Sequence, residues 1–146
     1  MNLSKYMLEA DEVDLRILHH LIENSARSHK EIGELVHLSG QAVGQRIRKL
    51  HDLGIIEGYT VKWNPAALGQ GIQGFVILYM NSASSHSAFL EHVHQQEAVY
   101  EVHRISGEGC YWMRVHAASL SDLNRLLDSL LTYGNYKLSL SVEQFK

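Results

Sequence analysis

Residues 39–51 hold the side chains best suited to act on a partner: Gln41, Gln45, Arg46, Arg48 and Lys49, with no Asp or Glu in the same stretch. A glutamine amide can bond an adenine edge in a bidentate way. Guanidinium and ammonium groups hold guanine or phosphate. Val43, Ile47 and Leu50 recur at helical spacing on the other side of the same segment. An amphipathic helix with an apolar inner face and an outer face of amides and cations is the kind that enters a DNA major groove. Gln41 and Gln45, near its start, are placed for base edges. Arg46 suits guanine or phosphate, and Arg48 and Lys49 suit phosphate. Ser39 reads as the helix cap more than as a base reader, with its backbone turned toward a phosphate.

Other reactive residues lead to blander readings. Ten histidines invite a metal site. His19 and His20 are adjacent, however, and His92 and His94 are two apart, so neither pair shares a helix face and no metal is expected. Cys110 is the only cysteine, which excludes an internal disulfide and a thiolate zinc cluster and suits a reducing compartment. At a strand start it reads as a small packed hydrophobe, not a redox sensor. Gly107 and Gly109 fit a turn that needs positive φ without any anion to cradle. Tyr59 and Trp63 read as hinge packing in preference to nucleobase stacking.

The elements that must position the candidate helix follow from local signals. Asp11 caps a helix over 12–24, with Asp14 in its first turn favoured by the helix dipole. Val13, Ile17, Leu18, Leu21 and Ile22 form its apolar stripe. Ser28 and Glu31 make a capping box for a second helix, with Ile32, Leu35 and Val36 inward. His37-Leu38 is the turn, and Gly54 is a left-handed cap after the third helix. Residues 55–62 read as a strand, a wing or hinge element. Pro65, the only proline, and Leu68-Gly69-Gln70-Gly71 mark a boundary.

The second half has a regular rhythm. Strands are expected over 72–80, 98–106, 110–117 and 136–145. Helices are expected over 86–96, capped by Ser84 or Ser85, and from Ser119-Asp122 onward with Leu120, Leu123, Leu126, Leu127, Leu130 and Leu131. In the last strand Leu138, Leu140 and Val142 share one face. The order β-α-β-β-α-β is that of a ferredoxin-like sandwich. The fold class is therefore α+β: an N-terminal winged helix-turn-helix over 1–62, a hinge over 63–71, and a βαββαβ domain over 72–146. Phe75, Ile77 and Tyr79 alternate with Val76, Leu78 and Met80, so both sheet faces are bulky. The face without helices calls for a second subunit.

Composition bounds the function. The 146 residues are 45% hydrophobic and 20% charged, a foldable chain. With a net charge of −3, binding to DNA requires positive charge concentrated locally, which residues 39–51 supply in Arg46, Arg48 and Lys49. No apolar run reaches the length of a membrane span, and the residues around Lys5 lack the apolar core of a signal peptide. A cytoplasmic, nucleoid-associated protein without membrane contact is expected.

The order of parts resembles the Lrp/AsnC family of transcriptional regulators. The resemblance is carried by Asp11-Glu12-Val13-Asp14 with Ile17-Leu18, by Ala26-Arg27-Ser28, and by Leu38-Ser39 leading to Val43 and Arg46-Ile47. It continues in Leu53-Gly54-Ile55-Ile56 with Gly58-Tyr59-Thr60, Asn64-Pro65 with Leu68-Gly69, and Ser106-Gly107 before Cys110-Tyr111. It implies a sequence-preferring regulator of double-stranded DNA, linked to amino-acid metabolism or DNA organisation. It also implies homodimers built through the βαββαβ domain and assembled into octamers or similar rings. No cofactor is implied, but an amino-acid effector is, bound between dimers at the turn Ser106, Gly107, Glu108, Gly109, Cys110 and Tyr111. The chain departs from the family pattern at Cys110, where a second acid is usual, which removes one partner for an effector's ammonium group. Siroheme decarboxylases are similar in architecture. A tetrapyrrole-binding enzyme, using His103, Arg104, Arg114 and His116, is therefore the alternative.

Overall fold

The computed structural model describes residues 9–146. The stretch around Lys5, where no signal peptide is expected, lies outside the described residues. The chain divides into two compact units, Met1–Lys62 and Trp63–Lys146.

The first unit is built from three helices: α1 (Glu12–Glu23), α2 (His29–Val36) and α3 (Gly40–Asp52). Each begins at a side-chain cap that satisfies an otherwise orphaned backbone N–H. The cap is Asp11 for α1, Ser28 for α2 and Ser39 for α3. Ile17, Leu21, Ile32, Val36, Val43, Ile47, Leu50 and Ile56 form the core. The buried stripe is narrower than the apolar pattern predicts. Ile22 is 74% exposed and Leu35 45% exposed, whereas Asp14 and Gly33 take inward positions. With only eight residues, α2 needs just Ile32, Gly33 and Val36 to reach its neighbours. Leu35 turns outward, and its carbonyl accepts a bond from Arg16 Nη2 at 3.2 Å.

The turn between α2 and α3 is tight. A Cβ on Gly33 would lie 2.4 Å from the Leu38 carbonyl oxygen, so only glycine lets the two backbones meet. His37 closes α2 in the left-handed region at φ 60° and ψ 46°, the only described non-glycine residue at positive φ. After α3 the chain reverses at Gly54, φ +68°.

The expected wing strand over 55–62 is not formed. The Ile55 and Ile56 N–H groups both donate to the Leu50 carbonyl, at 2.9 and 3.1 Å, which folds them back onto the end of α3. Ile56 is buried there, and from Glu57 to Lys62 the chain is exposed with no ladder partner among the described residues.

The second unit opens with a short 3-10 turn, Pro65–Leu68. It continues as β1 (Ile72–Met80), α4 (His86–His94), β2 (Val99–Arg104), β3 (Tyr111–Ala117), α5 (Leu120–Leu130) and β4 (Gly134–Leu140). The sheet order is β2-β3-β1-β4 and every pair is antiparallel. This is the expected βαββαβ sandwich. Ser85 caps α4 and Ser119 caps α5. Val76, Leu78, Met113 and Val115 face the helices and pack against Phe89, Val93, Leu123, Leu126, Leu127 and Leu130. The last strand runs earlier than expected. Its ladder with β1 ends at Gly74↔Leu140, and Ser141 N–H makes the last bond, to the Gln73 carbonyl at 2.9 Å. Val142 lies beyond any partner strand and is fully exposed, not part of an inward face.

His37 generates a stability prediction. A side chain in the left-handed region costs about 1–2 kcal/mol that glycine avoids, less glycine's greater freedom in the unfolded chain. His37→Gly is expected to stabilise the first unit by about 1 kcal/mol in urea unfolding. Gly33→Ala should destabilise it. Opposite signs would contradict this reading of the turn.

Candidate nucleic-acid interface

The capping of α3 by Ser39, whose Oγ accepts the Ala42 N–H at 3.1 Å, fixes the start of the helix. Burial of Val43, Ile47 and Leu50 then fixes its rotation. Gln41, Gln45 and Arg48 are exposed, at i, i+4 and i+7, and so form a single row along the outer face. Exposed Asp52 ends that row with an acid, so the row carries its amides and cation toward the N-terminal end. The start of α2 lies alongside this face. A Cβ on Gly40 would sit 3.3 Å from the Lys30 backbone nitrogen, and one on Gly44 would sit 3.0 Å from His29 Nδ1.

Arg46 and Lys49 stand elsewhere. The sequence reading put them on the outer face with the others; the structure turns both toward α1. Arg46 Nη1 donates to Asp11 Oδ1 and Oδ2 at 2.8 and 2.7 Å and to Asp14 Oδ1 at 2.8 Å. Lys49 Nζ donates to Asp14 Oδ2 at 2.7 Å. The carboxylates are themselves fixed by a reciprocal capping box. Asp14 N–H donates to Asp11 Oδ1 at 2.9 Å, and Asp11 N–H donates to Asp14 Oδ2 at 3.0 Å. Asp14 is fully buried, the only charged residue in the described core. Burial raises its pKa. The bonds from Lys49, from the Asp11 backbone and from Arg46 outweigh that and hold it below the usual carboxylate range. The Arg46 bond likewise lowers Asp11, and the two carboxylates raise Arg46. Reading Asp14 as a helix-dipole residue missed this role. The signal was present: Asp14, Ile17 and Leu21 fall at i, i+3 and i+7, on one helix face.

In the second unit the turn between β2 and β3 is shaped by Gly107 and Gly109, at φ +94° and +84°. A Cβ on Gly109 would lie 2.4 Å from Ile77 Cγ2, and Cys110 N–H donates to the Leu78 carbonyl at 2.7 Å, which pins the turn to β1. Glu108 is not free. Its Oε1 accepts from the Tyr79 hydroxyl at 2.6 Å and from Lys137 Nζ, and the Lys137 and Tyr79 bonds hold its pKa low. Cys110 packs half-buried against the core. Tyr111 is core, 3% exposed, its ring tilted against Phe89 with centroids 4.6 Å apart. Its hydroxyl meets His86 Nδ1 at 2.9 Å. Ser106 and Gly107 remain exposed.

The four residues of the tetrapyrrole alternative are only partly brought together: His103 and Arg114 meet on Glu101, whereas Arg104 is engaged elsewhere. Arg104 bonds His86 and Tyr111. Arg114 and His103 both bond Glu101, at 2.8 Å each, and His116 packs edge-on to Tyr100. No cluster of three His, Cys, Asp or Glu among the described residues could hold a metal. No described helix is long and apolar enough to cross a membrane.

A capped helix-turn-helix with an amide-bearing outer face, followed by a βαββαβ domain, defines the class of DNA-binding regulators that carry a ligand-binding module. Residues 11–51 match the AsnC-type helix-turn-helix domain and residues 73–146 match the Lrp/AsnC ligand binding domain. The chain is 40% identical over 139 residues to the HTH-type transcriptional regulator LrpB of Bacillus subtilis, spanning 95% of this chain and 93% of that one. It is 35% identical over 133 residues to LrpA of the same organism, over 90% and 97% of the two chains. The structure of Bacillus subtilis LrpC superposes with a TM-score of 0.87 at 25% identity, over 93% of this chain and 96% of that one. A complex of the Neisseria meningitidis transcriptional regulator NMB0573 with L-Met gives the same TM-score and identity, over 93% and 92%. The chain belongs to the Lrp/AsnC family of transcriptional regulators. It is a DNA-binding transcriptional regulator.

The buried carboxylate sets an expected pH and mutational response. Asp14 has a lowered folded-state pKa, so its stabilising contribution is present above the unfolded carboxylate range, near pH 4. It is lost as pH falls through the folded value. Asp14→Ala strands Lys49 and leaves Arg46 only Asp11, and should cost about 3 kcal/mol, at the low end for a broken buried pair because both cations are part-exposed. Urea midpoints from pH 7 down to pH 3 should show the wild-type protein losing its advantage over the variant. A constant gap would contradict this account.

Proposed function

We propose that the protein regulates transcription as a homodimer whose α3 helices read bases through Gln41 and Gln45 and hold phosphate through Arg48 and the Ser39 end of the helix. The observation that carries this reading is the exposed row Gln41, Gln45, Arg48 over a fully buried inner face. Each glutamine can discriminate adenine by about 1–3 kcal/mol. Two such helices about one DNA turn apart would match a two-fold operator.

The bare sheet face supports the dimer. Phe75 and Trp112 stack there with centroids 5.7 Å apart, and Ile77 lies between Trp112 on β3 and Lys137 on β4. Arg114 Nε is buried without a hydrogen-bond partner. A second copy seated on this face would cover the rings and exclude water from them. Higher assembly of such dimers, to an octamer or similar ring that bends DNA, extends the same reading, as does a cytoplasmic, nucleoid-associated location.

The ligand-binding module points to a small-molecule effector, and the L-Met complex of the Neisseria relative supports an amino acid, with a link to amino-acid metabolism. The turn Ser106–Tyr111 is the proposed place. Its carboxylate is already engaged by Lys137 and Tyr79, and Cys110 adds no charge. An amino acid's ammonium group must therefore displace Lys137 from Glu108.

Three outcomes are expected. Fluorescence anisotropy on the DNA upstream of the protein's own gene should show salt-weakened preference over a scrambled duplex, and Gln45→Ala should lose about tenfold of that preference. Equal affinity for both duplexes would overturn the specific-regulator reading. Ile77→Lys should shift sedimentation toward monomer while the helix content stays intact; an unchanged assembly would move the interface elsewhere. Lys137→Met should enlarge the thermal shift that free amino acids produce. No shift in either protein would remove the amino-acid effector.

A further inference from the structure

The stretch that reads as the most basic part of the chain is largely neutralised where it stands. Three cations project from α3, and two of them, Arg46 and Lys49, end on the carboxylates of Asp11 and Asp14. Asp14 is fully buried, so its cations cannot leave for a phosphate without stranding a buried negative charge. The capping box locks both carboxylates to the start of α1, so the acids cannot follow the cations outward. Among the described residues Arg48 enters no salt bridge, and it lies in the exposed row with Gln41 and Gln45.

We propose that Asp14 is a positioning residue for DNA recognition. It withholds Lys49 and, together with Asp11, Arg46 from the phosphate backbone and uses them to fix the angle of α3 against α1. DNA then meets one free cation per recognition helix instead of three. This deepens the reading of α3 as the DNA-facing helix and rests on it.

The consequence is measurable as a salt slope. Each neutralised phosphate contributes about 0.9 to the fall of log K with log salt concentration. The α3 cations should therefore contribute about 0.9 per bound helix, where three phosphate contacts would contribute about 2.7.

The test is anisotropy on the upstream duplex across a salt series, with the full chain and its single variants. Lys49→Gln and Arg46→Gln are expected to leave the slope unchanged, even where affinity falls because the helix is less well held. Asp14→Asn, which frees Lys49 while Arg46 keeps Asp11, is expected to steepen the slope by about 0.9 per helix. Arg48→Ala is expected to flatten it by about 0.9 per helix. A flattening of about 0.9 with Lys49→Gln or Arg46→Gln, alongside the same loss for Arg48→Ala, would overturn the proposal while leaving the helix assignment intact. No change in affinity or slope for Arg48→Ala and Gln41→Ala together would instead sink the helix assignment itself. Should Asp14→Asn or Arg46→Gln fail to fold, Lys49→Gln decides alone, because Asp14 then keeps Arg46 as its partner.

Discussion

The first unit depends on a single buried negative charge. An isolated carboxylate in an apolar core costs several kcal/mol, and Asp14 avoids that cost only by being bonded on every side. Its partners come from 32 and 35 residues away, so satisfying it ties the first turn of α1 to the middle of α3. Apolar contacts alone would hold the two helices together but tolerate rotation. Bonds to a fixed capping box do not. The rotation of α3 decides which side chains face outward, so the row Gln41, Gln45, Arg48 follows from the Asp14 requirement as much as from the burial of Val43, Ile47 and Leu50.

The second unit is governed by a different constraint, the two-residue period of its strands. Val76 and Leu78 must face the helices, which commits Phe75, Ile77 and Tyr79 to the other side. Cross-strand pairing then brings Trp112 opposite Ile77 and Arg114 opposite Phe75. A face of stacked rings over a charged border follows from filling the core. The same register puts Lys137 opposite Ile77 and next to Tyr79, within reach of Glu108 on the neighbouring turn. The turn's electrostatics are thus set by the sheet, not by the turn's own sequence.

That distinction explains what could be read from the sequence. Features that live within one turn of chain were legible: the caps Asp11, Ser28, Ser39 and Ser119, the left-handed Gly54, the glycine turn at 107–109, and the boundaries of β1. The βαββαβ order followed from period alone. What needed a partner was not legible. The wing read over 55–62 has strand-like residues but no strand to pair with, and its first two N–H groups are claimed by Leu50. Val142 keeps the alternation of β4 after β1 has run out. Ile22 and Leu35 are apolar but lie outside stripes that three short helices can bury. Arg46 and Lys49 look like their neighbour Arg48 in every local respect; only the positions of Asp11 and Asp14, 32 to 35 residues earlier, separate them.

Both units end with the same arrangement, in which a site's own counter-charge sits inside the protein. Asp11 and Asp14 neutralise cations of α3, and Lys137 neutralises Glu108 on the turn between β2 and β3. Long-range attraction to a charged partner is weakened in each case, since a neutralised pair projects little field beyond a Debye length. In the proposed reading, contact then depends on groups that act at hydrogen-bond distance: glutamine amides on α3, and backbone and hydroxyl groups around Ser106. Such groups reward a matching partner and pay for a mismatched one with unsatisfied polar atoms. A chain of net charge −3 that must find one duplex site among many gains selectivity from that exchange, because cutting the non-specific phosphate attraction lowers its affinity for every wrong site alike.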